Sequence, residues 1–320
     1  MSLTESEPST ARITRARRVV GLIVTARPRQ WVKNLACFAG LIFSGHLFDA
    51  EAIGAAFWAF LGFCLASSSV YFVNDVCDRR SDAANPKKRS RPIAAGIVPV
   101  SWAITAAVVL AAAAVGSSLA LSPGCRTVLA MYLAMSYAYS IRLKHTVLVD
   151  VLIIALGFVL RIIYGVFAVG VAPTPWILLC MFFLALFLGF AKRRSELHQF
   201  DDTGSLRRPV LVKYRTVLLD LLLAMTATMA ILSYALYTLI GRPGNETLVV
   251  TVPLVVYGVC RYLLLVVVFD IGDAPDESLL ADRMLLVSVA LWVVLCVAIL
   301  YFHLNFIQFQ TFPPPVAPGR

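Results

Sequence analysis

Long apolar runs alternate along this chain with short, densely basic ones. A membrane-spanning helix needs roughly 20 mostly apolar residues. Nine segments approach that length, at about 34–48, 53–76, 98–120, 126–141, 147–170, 175–191, 216–240, 247–269 and 284–305. The first and fourth are the shortest. Turn-forming clusters punctuate the runs, among them Ser122-Pro123-Gly124, Pro173-Thr174-Pro175 and Gly241-Arg242-Pro243-Gly244. Residues 12–33 mix basic and aliphatic positions, which predicts an amphipathic segment lying on the membrane surface. The pattern as a whole predicts an all-α polytopic membrane protein with nine transmembrane helices. A polar, basic stretch (1–26) would precede the membrane domain (27–306), and a loose Pro-rich tail (307–320) would follow it.

Lys and Arg orient the spans. They crowd before the first span and after the second, fourth and sixth, as in Arg79, Arg80, Lys87, Lys88, Arg89 and Arg91. The opposite connections hold few, Arg126 and Arg242 being exceptions. Because cytoplasmic loops retain the positive charge, the N-terminus is expected in the cytoplasm and, with nine spans, the C-terminus outside. The location that follows is the cell inner (plasma) membrane.

Composition supports this reading. Of the 320 residues 60% are hydrophobic and 14% charged, whereas soluble domains average about 45–50% and about 25%. The net charge of +10 flanks apolar spans rather than lining one soluble face, so it argues against a nucleic-acid partner. It suits membrane topology and anionic ligands instead. Seven cysteines occur without any CxxC, mostly within apolar runs, and read as small buried hydrophobes. The N-terminal polar residues and the short apolar stretch Val19–Val24 do not form a cleavable signal.

Polar residues not needed for membrane folding collect on the basic side. Asn74, Asp75, Asp78 and Asp82 follow the second span at spacings that share one face, provided the helix continues that far. Carboxylates packed so closely repel unless a cation sits among them, and hard oxygen donors suit Mg²⁺. A solvated acidic helix end paired to Arg79 and Arg80 is the alternative. Lys88 and Arg91 follow within a few residues, and carboxylates beside cations match what a magnesium diphosphate requires. Tyr139 and Lys144 sit where the fourth span meets the cytoplasm, as candidate site groups or as interfacial anchors. Asp150 opens the fifth span, and Arg161 lies well inside it. An ionisable group at that depth is costly and marks function or a buried partner. Lys192 and Glu196 share a face at the end of the sixth span, beside Arg193, and an ordinary surface ion pair is the alternative there. Lys33 and Asn34 stand at the mouth of the first span.

Together these strings resemble the UbiA superfamily of intramembrane prenyltransferases. The resemblance rests on Asn74-Asp75-x-x-Asp78-x-x-x-Asp82, a basic loop, and Tyr139-Ser140-x-x-x-Lys144, and it extends over roughly residues 27–305. Further strings resemble its decaprenyl-phosphate phosphoribosyltransferase branch. They are Arg27-Pro28-Arg29-Gln30-Trp31-Val32-Lys33-Asn34, Arg89–Gly96, Leu143-Lys144-His145 with Asp150, Gly157–Arg161 and Lys192–Leu197. The aromatic prenyltransferases carry a second Asp-x-x-x-Asp after the sixth span. Here that position reads Lys192-Arg193-Arg194-Ser195-Glu196, which suits additional phosphates.

The resemblance implies a UbiA-like bundle and transfer of 5-phosphoribose from 5-phosphoribosyl 1-diphosphate to a polyprenyl phosphate. It implies Mg²⁺ held by Asp75, Asp78 and Asp82, with Asn74 nearby. It further implies phosphate contacts from Lys33, Lys88, Arg91, Lys144, Arg161, Lys192 and Arg193. Tyr139 and Glu196 would face ribose hydroxyls or orient a cation, with Asn34 and Asp150 lining the same site. A prenyltransferase acting on an aromatic acceptor keeps the fold and changes the substrates. A transporter is disfavoured, because the ionisable residues gather at one face rather than at the midplane. Oligomeric state stays open, a homo-oligomer included.

Overall fold

The computed structural model describes residues 14–203, 213–241, 246–269 and 282–302, with the side chains of residues 199–203 outside that description. The Pro-rich tail and the residues before Thr14 therefore lie outside the described residues, as do the side chains of Asp201 and Asp202.

Each predicted span coincides with helical backbone. After the surface helix α1 (Arg15–Ala26) come a 3-10 segment (Pro28–Phe38), α2 (Ala39–Ser44), α3 (Ala50–Cys77) and the short α4 (Arg79–Ala84). The bundle continues with α5 (Val100–Ser118), α6 (Pro123–Ile141), α7 (Val149–Ala168), α8 (Pro175–Thr203) and α9 (Thr216–Ile240). A 3-10 turn (Glu246–Thr251) leads into α10 (Val252–Val267), and α11 (Arg283–Phe302) follows.

Among the described residues, seven helices are long and apolar enough to cross a membrane. They present large aliphatic side chains outward, such as Val108, Val109, Leu221, Val287 and Val294. The two that fall short do so for different reasons. The first predicted span is a 3-10 run that becomes α-helical only for Ala39–Ser44, ending at Gly45 with φ 89°. Such backbone is tolerated at membrane depth where protein surrounds it. The fourth, α6, is a full 19 residues long but carries Arg126, three tyrosines, Ser136 and Ser140. Its inward face buries Tyr132, Ser136 and Ser140.

α7 is the common wall of two cores. On one side Leu160 and Tyr164 pack with Cys37, Phe63, Leu129 and Tyr132; on the other, Val151 and Ala155 pack with Phe187, Phe190, Leu219 and Tyr262. The irregular first segment lies directly on α7. A Cβ added at Gly165 would stand 1.9 Å from the Cys37 carbonyl oxygen. Gly165→Ala is therefore expected to destabilise the protein by about 1–3 kcal/mol or more, seen as a lower thermal transition in detergent. An unchanged transition would mean that this contact yields freely. The same segment is stapled to the last helix, where the Tyr301 hydroxyl donates to the Ile42 carbonyl (2.8 Å) and accepts from the Leu47 amide (3.1 Å).

The predicted surface segment is shorter than residues 12–33. α1 ends where Arg27 turns the chain in the left-handed region (φ 53°) and Pro28 opens the 3-10 run. One side of α1, with Gly21 against Val98 and Pro92, packs on the loop before α5; Val19, Val20, Ile23 and Val24 point outward.

Candidate active site at the basic end of the bundle

Helical hydrogen bonding carries the acidic motif across the end of α3. The Asp78 amide donates to the Asn74 carbonyl (2.9 Å), and the Asp82 amide donates to the Asp78 carbonyl (2.8 Å). The expected continuation therefore holds, with one break at Asp78 between α3 and α4. Asp75 and Asp82 are buried, each 3% exposed. Each of the three carboxylates meets a basic side chain. Arg91 Nη1 lies 2.7 Å from Asp82 Oδ2 and 3.3 Å from Asp75 Oδ1. Arg27 Nη2 reaches Asp75 Oδ1 at 2.5 Å. Lys144 Nζ reaches Asp78 Oδ1 at 2.5 Å and the Asn74 side-chain oxygen at 3.3 Å. The alternative of an acidic end paired to Arg79 and Arg80 gives way to pairing with residues brought from three other segments.

No three carboxylate, thiol or imidazole groups among the described residues converge as a ready metal cage. Guanidinium and ammonium groups instead pair with Asp75, Asp78 and Asp82. The donor set nevertheless fits a hard cation. It is all oxygen, it lies on one helical face, and a positive group already sits between Asp75 and Asp82.

Arg27 is a further member of this site that the sequence does not single out, because its partner Asp75 lies 48 residues away. Its guanidinium also covers the Tyr71 ring at 4.8 Å. The Ser68 hydroxyl, donating to the Ala26 carbonyl at 2.9 Å, and Trp31 Nε1, donating to the Ser68 hydroxyl at 3.0 Å, hold this corner against α3.

A second charged group forms where α7 and α8 meet. Asp150 is fully buried and accepts from Arg193 Nε (2.7 Å) and from the Tyr214 hydroxyl (3.0 Å). Arg193 also pairs with Glu196. Burial raises the Tyr214 phenol above its ordinary range, so it serves Asp150 as a neutral donor. Tyr139 lies within electrostatic reach of Arg193. Arg193, expected as a phosphate holder, lies between two carboxylates, those of Asp150 and Glu196.

Arg161, also expected at a phosphate, is buried within the bundle. Its three nitrogens donate to Asn34 Oδ1 (2.8 Å), the Gly157 carbonyl (2.8 Å) and the Tyr132 hydroxyl (3.1 Å). Phe63, Tyr132 and Phe158 each surround its guanidinium carbon at 5.1 Å. Asn34 spends its amide on Ser67 and Cys64. Arg161 and Asn34 thus tie the first segment, α3, α6 and α7 together inside the bundle. Lys33, Lys88 and Lys192 remain partly accessible at the basic end.

The arrangement defines a multi-pass membrane protein with a polar, charge-balanced site at one end of its helices. The chain belongs to the UbiA prenyltransferase family, whose family model matches residues 34–281. It is 36% identical over 286 residues to a decaprenyl-phosphate phosphoribosyltransferase from Mycobacterium tuberculosis, covering 87% of this chain and 93% of that one. A protein of the same description from Corynebacterium glutamicum is 34% identical over 290 residues, 88% of this chain and 87% of its own. Among solved structures, a UbiA homologue from Archaeoglobus fulgidus bound to DMAPP and Mg²⁺ superposes with a TM-score of 0.69. It shares 18% identity over 89% of this chain and the whole of that one.

Proposed function

We propose that this protein transfers 5-phosphoribose from 5-phosphoribosyl 1-diphosphate to a polyprenyl phosphate, decaprenyl phosphate in particular, and releases pyrophosphate. The observation that carries the reading is the identity of about a third, spread along nearly the whole chain, to decaprenyl-phosphate phosphoribosyltransferases. The chemistry of the site agrees with it. Carboxylates interleaved with cations are what a metal-bound diphosphate needs, and the accessible lysines suit a substrate pair rich in phosphate.

In this mechanism Asp75, Asp78 and Asp82 would hold Mg²⁺, which supplies neutralisation of the leaving diphosphate. Lys144, Arg91 and Arg27 turn from these carboxylates toward phosphate oxygens, with Lys33, Lys88 and Lys192 beside them. Asn74 holds Lys144 in place. Tyr139 and Glu196 face the ribose hydroxyls. The bond from ribose C1 to the diphosphate breaks as an oxygen of the lipid phosphate bonds to C1 from the opposite face. That oxygen is already anionic, so no side chain needs to remove a proton; positioning and charge neutralisation carry the rate. The site faces the cytoplasm at the inner membrane, in line with the placement of Lys and Arg. The outward aliphatic row of α1 rests in the lipid interface beside it.

The test is direct. Purified protein is incubated with Mg²⁺, labelled phosphoribosyl diphosphate and decaprenyl phosphate. Label is expected to enter the lipid phase and to stay out of it with EDTA. Transfer of a prenyl group to an aromatic acid instead would overturn the substrate assignment and keep the family.

A further inference from the structure

The acidic motif is already charge-balanced. Asp75, Asp78 and Asp82 carry three formal negative charges, and Arg27, Arg91 and Lys144 bring three positive ones within 3.3 Å. Two of the carboxylates are almost wholly buried, so separating them from their partners without replacement is costly. A divalent cation arriving alone has to strip these partners and leave them stranded. A phosphate arriving alone has to draw off the same cations and leave the carboxylates stranded. Arriving together, the two satisfy both halves at once.

We infer that this site exchanges partners as a unit: metal and diphosphate bind with strong mutual dependence, and Arg27, Arg91 and Lys144 enforce it by occupying the carboxylates until phosphate claims them. The inference rests on the proposed diphosphate reading of the site. Its consequence is protective. A metal cannot settle in the motif without substrate, and free phosphate cannot block it without metal. Arg27 is carried by the corner between α1 and the 3-10 segment rather than by a bundle helix.

The exchange predicts an unusual sign for charge removal. Arg91→Gln leaves three carboxylates against two cations, so Mn²⁺ alone, followed by the loss of its free electron-spin signal on titration, is expected to bind at least ~10-fold more tightly than to the wild type. Retention of labelled pyrophosphate in the presence of Mg²⁺ is expected to fall about as much. Arg27→Gln is expected to shift both in the same directions. It carries the test if Arg91→Gln fails to elute as a folded species. Wild-type protein that binds Mn²⁺ alone as tightly as these variants do, while still retaining pyrophosphate with Mg²⁺, would overturn the exchange and leave the diphosphate site intact. Wild-type protein that retains no pyrophosphate with Mg²⁺ would overturn the reading of the site and the exchange with it.

Discussion

Asp78→Asn is expected to lower phosphoribosyl transfer by roughly 10²–10³-fold, the range lost when one preorganised charged group is removed from an active site, while leaving the fold intact. Asp78 sits at the junction of α3 and α4, and its backbone amide and carbonyl, not its side chain, carry the helical hydrogen bonds through that junction. Its carboxylate is about a fifth exposed and meets Lys144. Asparagine keeps the shape and can still accept from Lys144, so the change isolates charge. The control is Asp49→Asn, an exposed carboxylate that caps the start of α3 through the Glu51 amide. It lies at the other end of the same helix, and its transfer rate is expected to stay within about twofold. Initial rates at saturating donor, alongside the thermal transition of each variant, make the comparison. A rate for Asp78→Asn within about threefold of the wild type would place the metal seat elsewhere.

The fold was legible in the sequence to the extent that apolar length and basic flanks decide it. Seven of the nine segments form helices long and apolar enough to cross a membrane, because in lipid a backbone must satisfy its own hydrogen bonds. What hydropathy does not report is how a segment is used. It treats residues 34–48 as a short span, yet that stretch starts as a 3-10 run, becomes α-helical only for Ala39–Ser44, and is held against the bundle by Asn34, Arg161 and the missing side chain of Gly165. It treats α6 as a weak span, when the polar residues that weaken it are the ones turned inward. The acidic motif was legible because its members lie within eight residues of one another on one helical path. Which cation pairs with which carboxylate was not, although Arg91 and Lys144 were expected at the site. Arg27 and Lys144 reach it from 48 and 66 residues away, distances at which spacing in the chain carries no information. The same holds for the partners of two arginines. Arg193 in its basic run and Arg161 deep in the fifth span both stand out by charge alone, and only the fold reveals their partners, two carboxylates for Arg193 and Asn34, Gly157 and Tyr132 for Arg161.

That distinction yields a prediction of comparable size on stability. Arg193 is 3% exposed at its side chain and lies between Asp150, fully buried, and Glu196. Arg193→Met removes the only cation paired with Asp150 among the described residues and leaves that carboxylate with the Tyr214 hydroxyl alone. Stranding one member of a buried ion pair costs about 3–5 kcal/mol, so the thermal transition in detergent is expected to drop sharply and expression to fall with it. The double variant Asp150→Leu with Arg193→Met removes both charges and is expected to recover most of the loss, since apolar residues of similar volume replace a buried pair at little cost. Glu196, closer to the surface, tolerates the change by turning to solvent. A phosphate ligand would behave in the opposite way. Its single replacement would keep the transition and abolish transfer, and removing Asp150 as well would rescue nothing. The recovery of stability in the double variant is the outcome that assigns Arg193 to the frame of the site rather than to its substrate.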